Sequence, residues 1–119
     1  QAGSVKNGKT VSLVFRADND FGAQAILNSF MSNDLQVGAK QYDEPQGVPG
    51  TSCTENEEVG GTQYACYVIN GRYVAEVSER TYTNKPQDKA EKKQLVSQMA
   101  AAQYEILKKA DQKIENVKN

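Results

Sequence analysis

The 119-residue chain has room for one domain with a modest core. Its 14 basic and 15 acidic residues leave a net charge of −1, so no whole-molecule field gathers nucleic acid or an anionic membrane. There is no histidine, which removes the commonest general base and the commonest metal ligand, and no apolar run approaches the roughly 20 residues of a spanning helix.

Residues 1–8 are small and polar and read as a linker or remnant ahead of a domain over residues 9–107. No signal peptide is visible, and an export signal would lie upstream. Lys9 to Arg16 reads as a strand, with Val11, Leu13 and Phe15 on one face and Ser12, Val14 and Arg16 on the other. Asp18 or Asn19 is the expected N-cap of a helix from Phe21 to Met31, where Ala23, Ile26, Leu27, Phe30 and Met31 fall at helical spacing. From Asn33 to Gly61 glycine and proline punctuate a stretch poor in apolar residues. It reads as a long irregular connector with a short extended piece between Leu35 and Tyr42.

The strongest local signal is Asn70-Gly71 between two runs rich in Val, Ile and Tyr, the signature of a β-hairpin with a type I′ turn. A turn centred there opposes Ile69 to Arg72, Val68 to Tyr73 and Tyr67 to Val74. Alternation then puts Tyr64, Cys66, Val68, Tyr73, Ala75 and Val77 on one apolar face, under which the core is expected. Ala65, Tyr67, Ile69, Arg72, Val74 and Glu76 make the other, mixed face. Asn84 and Pro86 announce a second helix from Gln87 to Lys118. Its apolar stripe is Leu95, Met99, Ala102, Ile106, Ala110 and Ile114, widened by Val96, Ala100 and Leu107. The part from Leu95 to Leu107 is expected to pack, and residues 108–119 to form an extension. The order β, α, connector, hairpin, α predicts a two-layer α+β domain: a mainly antiparallel sheet with a central hairpin and two helices on one face.

Cys53 and Cys66 are 13 positions apart, flanking Glu55, Glu57, Glu58 and Gly60-Gly61. A disulfide would staple this connector to the hairpin, worth about 3 kcal/mol in the chain-entropy model, and would place the chain in an oxidising, extracytoplasmic compartment. Two free thiols in a reducing cytosol are the alternative. Two cysteines without histidine do not make a zinc site.

The segment Cys66-Tyr67-Val68-Ile69-Asn70-Gly71-Arg72-Tyr73-Val74-Ala75, followed by Gln98-Met99-Ala100-Ala101-Ala102-Gln103-Tyr104-Glu105-Ile106-Leu107, resembles the C-terminal portion of secreted lipoproteins of unknown function from mycobacteria and related actinobacteria. Pro49-Gly50-Thr51-Ser52-Cys53 resembles that family's approach to its first cysteine. The resemblance spans Val11 to Leu107. It implies a cell-envelope location and an N-terminal portion bearing a lipid anchor, and implies no activity.

Candidate chemistry is sparse. Tyr67, Tyr73 and Tyr82 could form a partly exposed aromatic patch, although tyrosines in strands more often serve the core. Arg72 beside the turn could hold an anion, or simply be solvated. Glu55, Glu57 and Glu58, with Asp43 and Glu44 nearby, could ligate Ca²⁺, but they lack the ordered alternation of a calcium loop and read more simply as a solvated charged loop. The lysines of the final helix are mixed with acids, with no one-signed stripe for nucleic acid.

The expectation is a non-catalytic extracytoplasmic module of a cell-envelope lipoprotein, needing no cofactor or metal. It would bind an envelope protein, lipid or glycan, or the N-terminal region of its parent, through the long connector and adjacent sheet. Tyr67, Arg72, Tyr82, Glu55, Glu57 and Glu58 are the candidate surface. Two alternatives are a lipid or glycolipid carrier with a pocket between helix and sheet, and a carboxylate-dependent hydrolase. The first requires an enclosed apolar cavity of some hundreds of Å³, and the second a cleft with two convergent acids.

Overall fold

The computed structural model describes the backbone of residues 2–7, 10–43 and 45–118, and the side chains of residues 12–43 and 45–113. Its elements are β1 (Ala2–Asn7), β2 (Thr10–Arg16), α1 (Asp20–Gln36), β3 (Lys40–Tyr42), β4 (Ser52–Glu58), β5 (Gly61–Asn70), β6 (Tyr73–Arg80) and α2 (Pro86–Lys118). One six-stranded sheet, ordered β1-β2-β6-β5-β4-β3, is antiparallel throughout. The α+β class, the central hairpin and the Cys53–Cys66 disulfide are as expected.

The two helices do not share a face. Alternate residues of β5 and β6 point to opposite sides of the sheet. Tyr64, Cys66, Val68, Ala75 and Val77 pack with Val96, Ala100 and Leu107 of α2. Ala65, Tyr67 and Val74 pack with Ala23, Leu27 and Met31 of α1. The result has three layers rather than two. Topology supplies the reason: β2 lies beside β6 while β3 is the far edge, so α1 must cross one face to connect them, and α2 covers the other. The sequence already hinted at this, because residues 64–69 form an unbroken apolar run, the mark of a strand buried on both sides.

The hairpin turn is displaced by one residue. Asn70 opposes Tyr73, Val68 opposes Ala75 and Cys66 opposes Val77, leaving Gly71 and Arg72 at the centre. Only Gly71 has positive φ (58°), and Asn70 does not adopt the left-handed conformation that a type I′ turn would need. A glycine first in a two-residue loop suits type II′. Moving the turn by one residue shifts the pairing by two, so each side chain keeps its expected face. α2 explains the choice: Asp111 accepts a hydrogen bond from the Arg72 N–H (3.2 Å), and a Cβ at position 71 would lie 2.2 Å from its carboxylate carbon. Position 71 therefore requires glycine twice over.

Three further expectations change. Ala2–Asn7 pairs with β2 as an edge strand, so the expected linker at 1–8 contains backbone of the sheet. The stretch from Asn33 to Gly61 is mostly ordered: α1 continues to Gln36, β3 forms the edge, and β4 pairs with β5 through a tight turn at Gly60 (φ 90°). β4 (SCTENEE) escapes a hydrophobic-pattern reading because its neighbours, not its apolarity, hold it in place. Third, the buried line of α2 runs through Val96, Ala100 and Leu107, while Leu95 and Ile106 are largely outside it (36% and 57% exposed). The helix nevertheless docks as far as Asp111, into the expected extension. Glu44 and the side chains of Val11 and Ile114 lie outside the described residues.

The start of α1 follows the expected chemistry. Asn19 is the N-cap, its Oδ1 accepting from the Gly22 N–H at 2.7 Å, and Asp20 sits in the first turn.

Candidate functional site

The expected aromatic patch does not assemble. Tyr67 is buried on the α1 face, stacked on Phe30 with ring centroids 5.2 Å apart, and Phe30 in turn meets Phe15. Tyr73 packs against the α2-side core. Tyr82 is exposed beyond the end of β6, beside a depression of about 200 Å³ shared with Asp88 and Lys92. Arg72 is buried at the turn, where its carbonyl accepts from the Ala17 N–H (2.7 Å). It is not a solvated arginine offered to an anion.

The acidic group is also divided, because strand alternation sends its members to different faces. Glu57 pairs with Lys89 of α2 (2.9 Å), which holds its carboxyl below the usual range. Glu58 pairs with Arg80 (3.1 Å). Glu55 lies beside Tyr64 and helps burial to raise that phenol's pKa. Burial, reinforced by Glu55, also pushes the Tyr42 phenol up to about 12. Nearby, the Lys93 ammonium sits 4.4 Å over the Tyr42 ring. These contacts connect the sheet edge to α2 and do not form a calcium loop. Among the described residues, no three acidic, cysteine or histidine side chains gather as a metal site.

Cys53 and Cys66 are directly opposed on β4 and β5, fully buried within the α2-side core. The Tyr42 hydroxyl lies 3.6 Å from Cys66 Sγ. The bridge therefore joins neighbouring strands, instead of pinning a slack connector.

The most distinctive chemistry lies on the other face. The last turns of α1 bring Asp34 over the sheet, where its Oδ2 accepts from both the Tyr67 hydroxyl (2.5 Å) and the Thr54 hydroxyl (2.9 Å). Glu76 stands directly opposite Tyr67 across the β5–β6 ladder and so shares its face. Asp34, Tyr67, Glu76, Thr54 and Gln63 wall a cavity of about 140 Å³, which the largely exposed Val37 also lines. Among the described residues that line it there is no lysine or arginine. Burial and then the charge of Asp34 hold the Glu76 carboxyl above its usual range. Burial, the bond to Asp34 and the charge of Glu76 raise the Tyr67 phenol above its usual value.

This arrangement can capture a hydrogen-bond donor or a positive charge. Its two acids also meet the sign set out above for a carboxylate hydrolase. The expected surface included Tyr67 but missed Asp34, Glu76 and Thr54. Glu76 had left a trace, as a lone carboxylate between Ala75 and Val77 in an apolar strand. Asp34 had left none, because the helix was expected to end before it.

The fold and site together define a disulfide-stapled antiparallel sheet held between two helices, with a small acidic cavity beneath one of them. Residues 5–110 match the family model described as "Domain of unknown function (DUF7373) C-terminal", and the chain belongs to that family. Neither the curated proteins nor the solved structures contain a match.

Proposed function

We propose that this domain is a non-catalytic binding module of an extracytoplasmic cell-envelope lipoprotein, related to the actinobacterial lipoproteins that its hairpin and final helix resemble. The observation that carries the binding reading is the α1-side cavity. It has polar groups fixed by secondary structure, unneutralised acids and a volume of about 140 Å³. Pockets that enclose whole small molecules run to roughly 300–1,000 Å³, so this one suits a side chain or headgroup presented by a larger partner. The buried disulfide supports the compartment, since such bonds form and persist where thiols are oxidised. Among the described residues no helix is long and apolar enough to cross a membrane, and the proposal attaches the module through a lipid on its parent.

A lipid or glycolipid carrier is less well supported. The α2 side is filled by the packed core, and the α1-side cavity is small and walled largely by carboxylates, hydroxyls and two amides. The hydrolase reading has one specific observation in its favour, the pairing of Asp34 with a Glu76 whose pKa is raised. Against it, Asp34 Oδ2 already accepts two hydroxyl donors, and the cavity is too small to enclose a sugar ring together with an attacking water. The test is an assay of aryl esters and aryl glycosides with the protein and with Glu76→Gln. No turnover is expected from either, and turnover lost in Glu76→Gln would overturn the binding reading.

A further inference from the structure

We propose that the Asp34–Glu76 cavity is a receptor for a primary alkylammonium group, the chemistry of a lysine side chain. The inference rests on the binding-module reading and names the ligand class of the same site. Three observations lead to it.

The first is unbalanced charge. Asp34 and Glu76 line one concave space with no lysine or arginine among its described lining residues. Elsewhere in the sheet, Glu57 is matched by Lys89, Glu58 by Arg80 and the buried Glu79 by Lys92 at 3.0 Å, while Glu55 stands beside the Tyr64 phenol. Half-buried Glu76 has neither a hydrogen bond nor an ion pair among the described residues. Partial burial of a carboxylate without a partner is unfavourable, and an incoming cation relieves it.

The second is the acceptor geometry. Asp34 is held by Tyr67 and Thr54, both on its Oδ2, so Oδ1 and the Glu76 oxygens remain as separate acceptors. Separate acceptors suit the three rotatable donors of an ammonium better than the rigid, two-pronged fork of a guanidinium. Gln63 adds a neutral amide to the same wall.

The third is the apolar margin. Val37 is 72% exposed and lines the cavity together with Ala39 and Ala65. A lysine delivers its ammonium on a four-carbon stem that packs on such surface. A bare divalent ion would make no use of it.

The experiment uses the intact, oxidised protein and follows backbone amide shifts during titration with acetyl-Gly-Lys-Gly-amide. Parallel titrations use the norleucine and arginine analogues, free cadaverine and CaCl₂. The expected result is saturable shifts at residues 34, 65, 67 and 76 with the lysine peptide, none with norleucine, and weaker binding by arginine. Glu76→Gln, which keeps shape and removes charge, is expected to weaken the lysine peptide roughly tenfold. Cadaverine binding more tightly than the capped peptide would support the ammonium site and assign it to a diffusible amine. The peptide binding more tightly would support it and assign it to a partner's lysine. Calcium saturating the same amides at lower concentration, arginine outcompeting lysine, or no shift at those residues would each overturn the inference. The last result, with no ester or glycoside turnover, leaves the binding-module reading standing, whereas Glu76-dependent turnover removes both.

Discussion

The two faces of the sheet differ in what fills them. Under α2 the interior is mainly hydrocarbon and sulfur, with Val68, Ala75, Val96, Ala100 and both half-cystines all at 0% exposure, and the buried Glu79 at its margin is matched by Lys92. Under α1 a smaller apolar patch of Ala23, Leu27, Ala65 and Val74 gives way, toward the end of the helix, to Asp34, Thr54, Tyr67 and Glu76 around an open space. Asp34 there is tied to β4 and β5 by two hydroxyl bonds, while Glu76 beside it has no such bond among the described residues. Both faces carry a packed core, but only the α1 face keeps an open polar space beside it.

The largest test of this contrast is the truncation of one buried leucine on each side. Leu107→Ala and Leu27→Ala should each cost about 2–5 kcal/mol by chemical denaturation, as buried leucines do. A cost below about 1 kcal/mol for Leu27→Ala would mean that α1 is not a true packing layer.

Next comes the staple. Reducing Cys53–Cys66, or replacing both residues by alanine, should lower stability by about 3 kcal/mol for a separation of 13 residues. Because the bond lies on the α2 side, the amide shifts of Asp34 and Glu76 in the surviving folded fraction should change little. Large changes there would show that the two faces are not independent.

Gly71→Ala should cost about 1–2 kcal/mol from the left-handed backbone alone, and more from the collision with Asp111. Pairing it with Asp111→Ala should recover the second part but not the first, as a double-mutant cycle would read.

The smallest effect belongs to Glu76. Its folded-state pKa lies above the ordinary value of 4.5, so the native state holds that proton more tightly than the unfolded chain does. The associated stability is full below the unfolded pKa and is lost as pH rises through the raised folded value. Glu76→Gln should therefore flatten the decline of stability above about pH 4.5 and gain roughly 0.5 kcal/mol at neutral pH, the scale of a like-charge pair on a sheet. A loss of stability in this variant would mean that the carboxylate has a partner in the folded chain.

Much of this architecture was legible beforehand because it rests on local chemistry. The Asn19 cap, the proline at the start of α2, the apolar run of β5 and the two-sided character of β2 are each set by a few neighbouring residues. Even the misplaced turn kept every hairpin side chain on its expected face, since alternation survives a shift of two. The candidate site was less visible, because Asp34, Thr54 and Glu76 come from three separate elements and carry no shared spacing.

By itself the sequence determined the hairpin, the presence of both helices and the two faces of β2, β5 and β6. These follow from periodicity, capping and chain proximity, which act over a few residues. Only the tertiary structure decided that α1 and α2 cover opposite sides, that polar SCTENEE is a strand, and that two distant acids share one cavity. Those outcomes depend on which neighbours a segment meets after long loops close, and no local pattern encodes that.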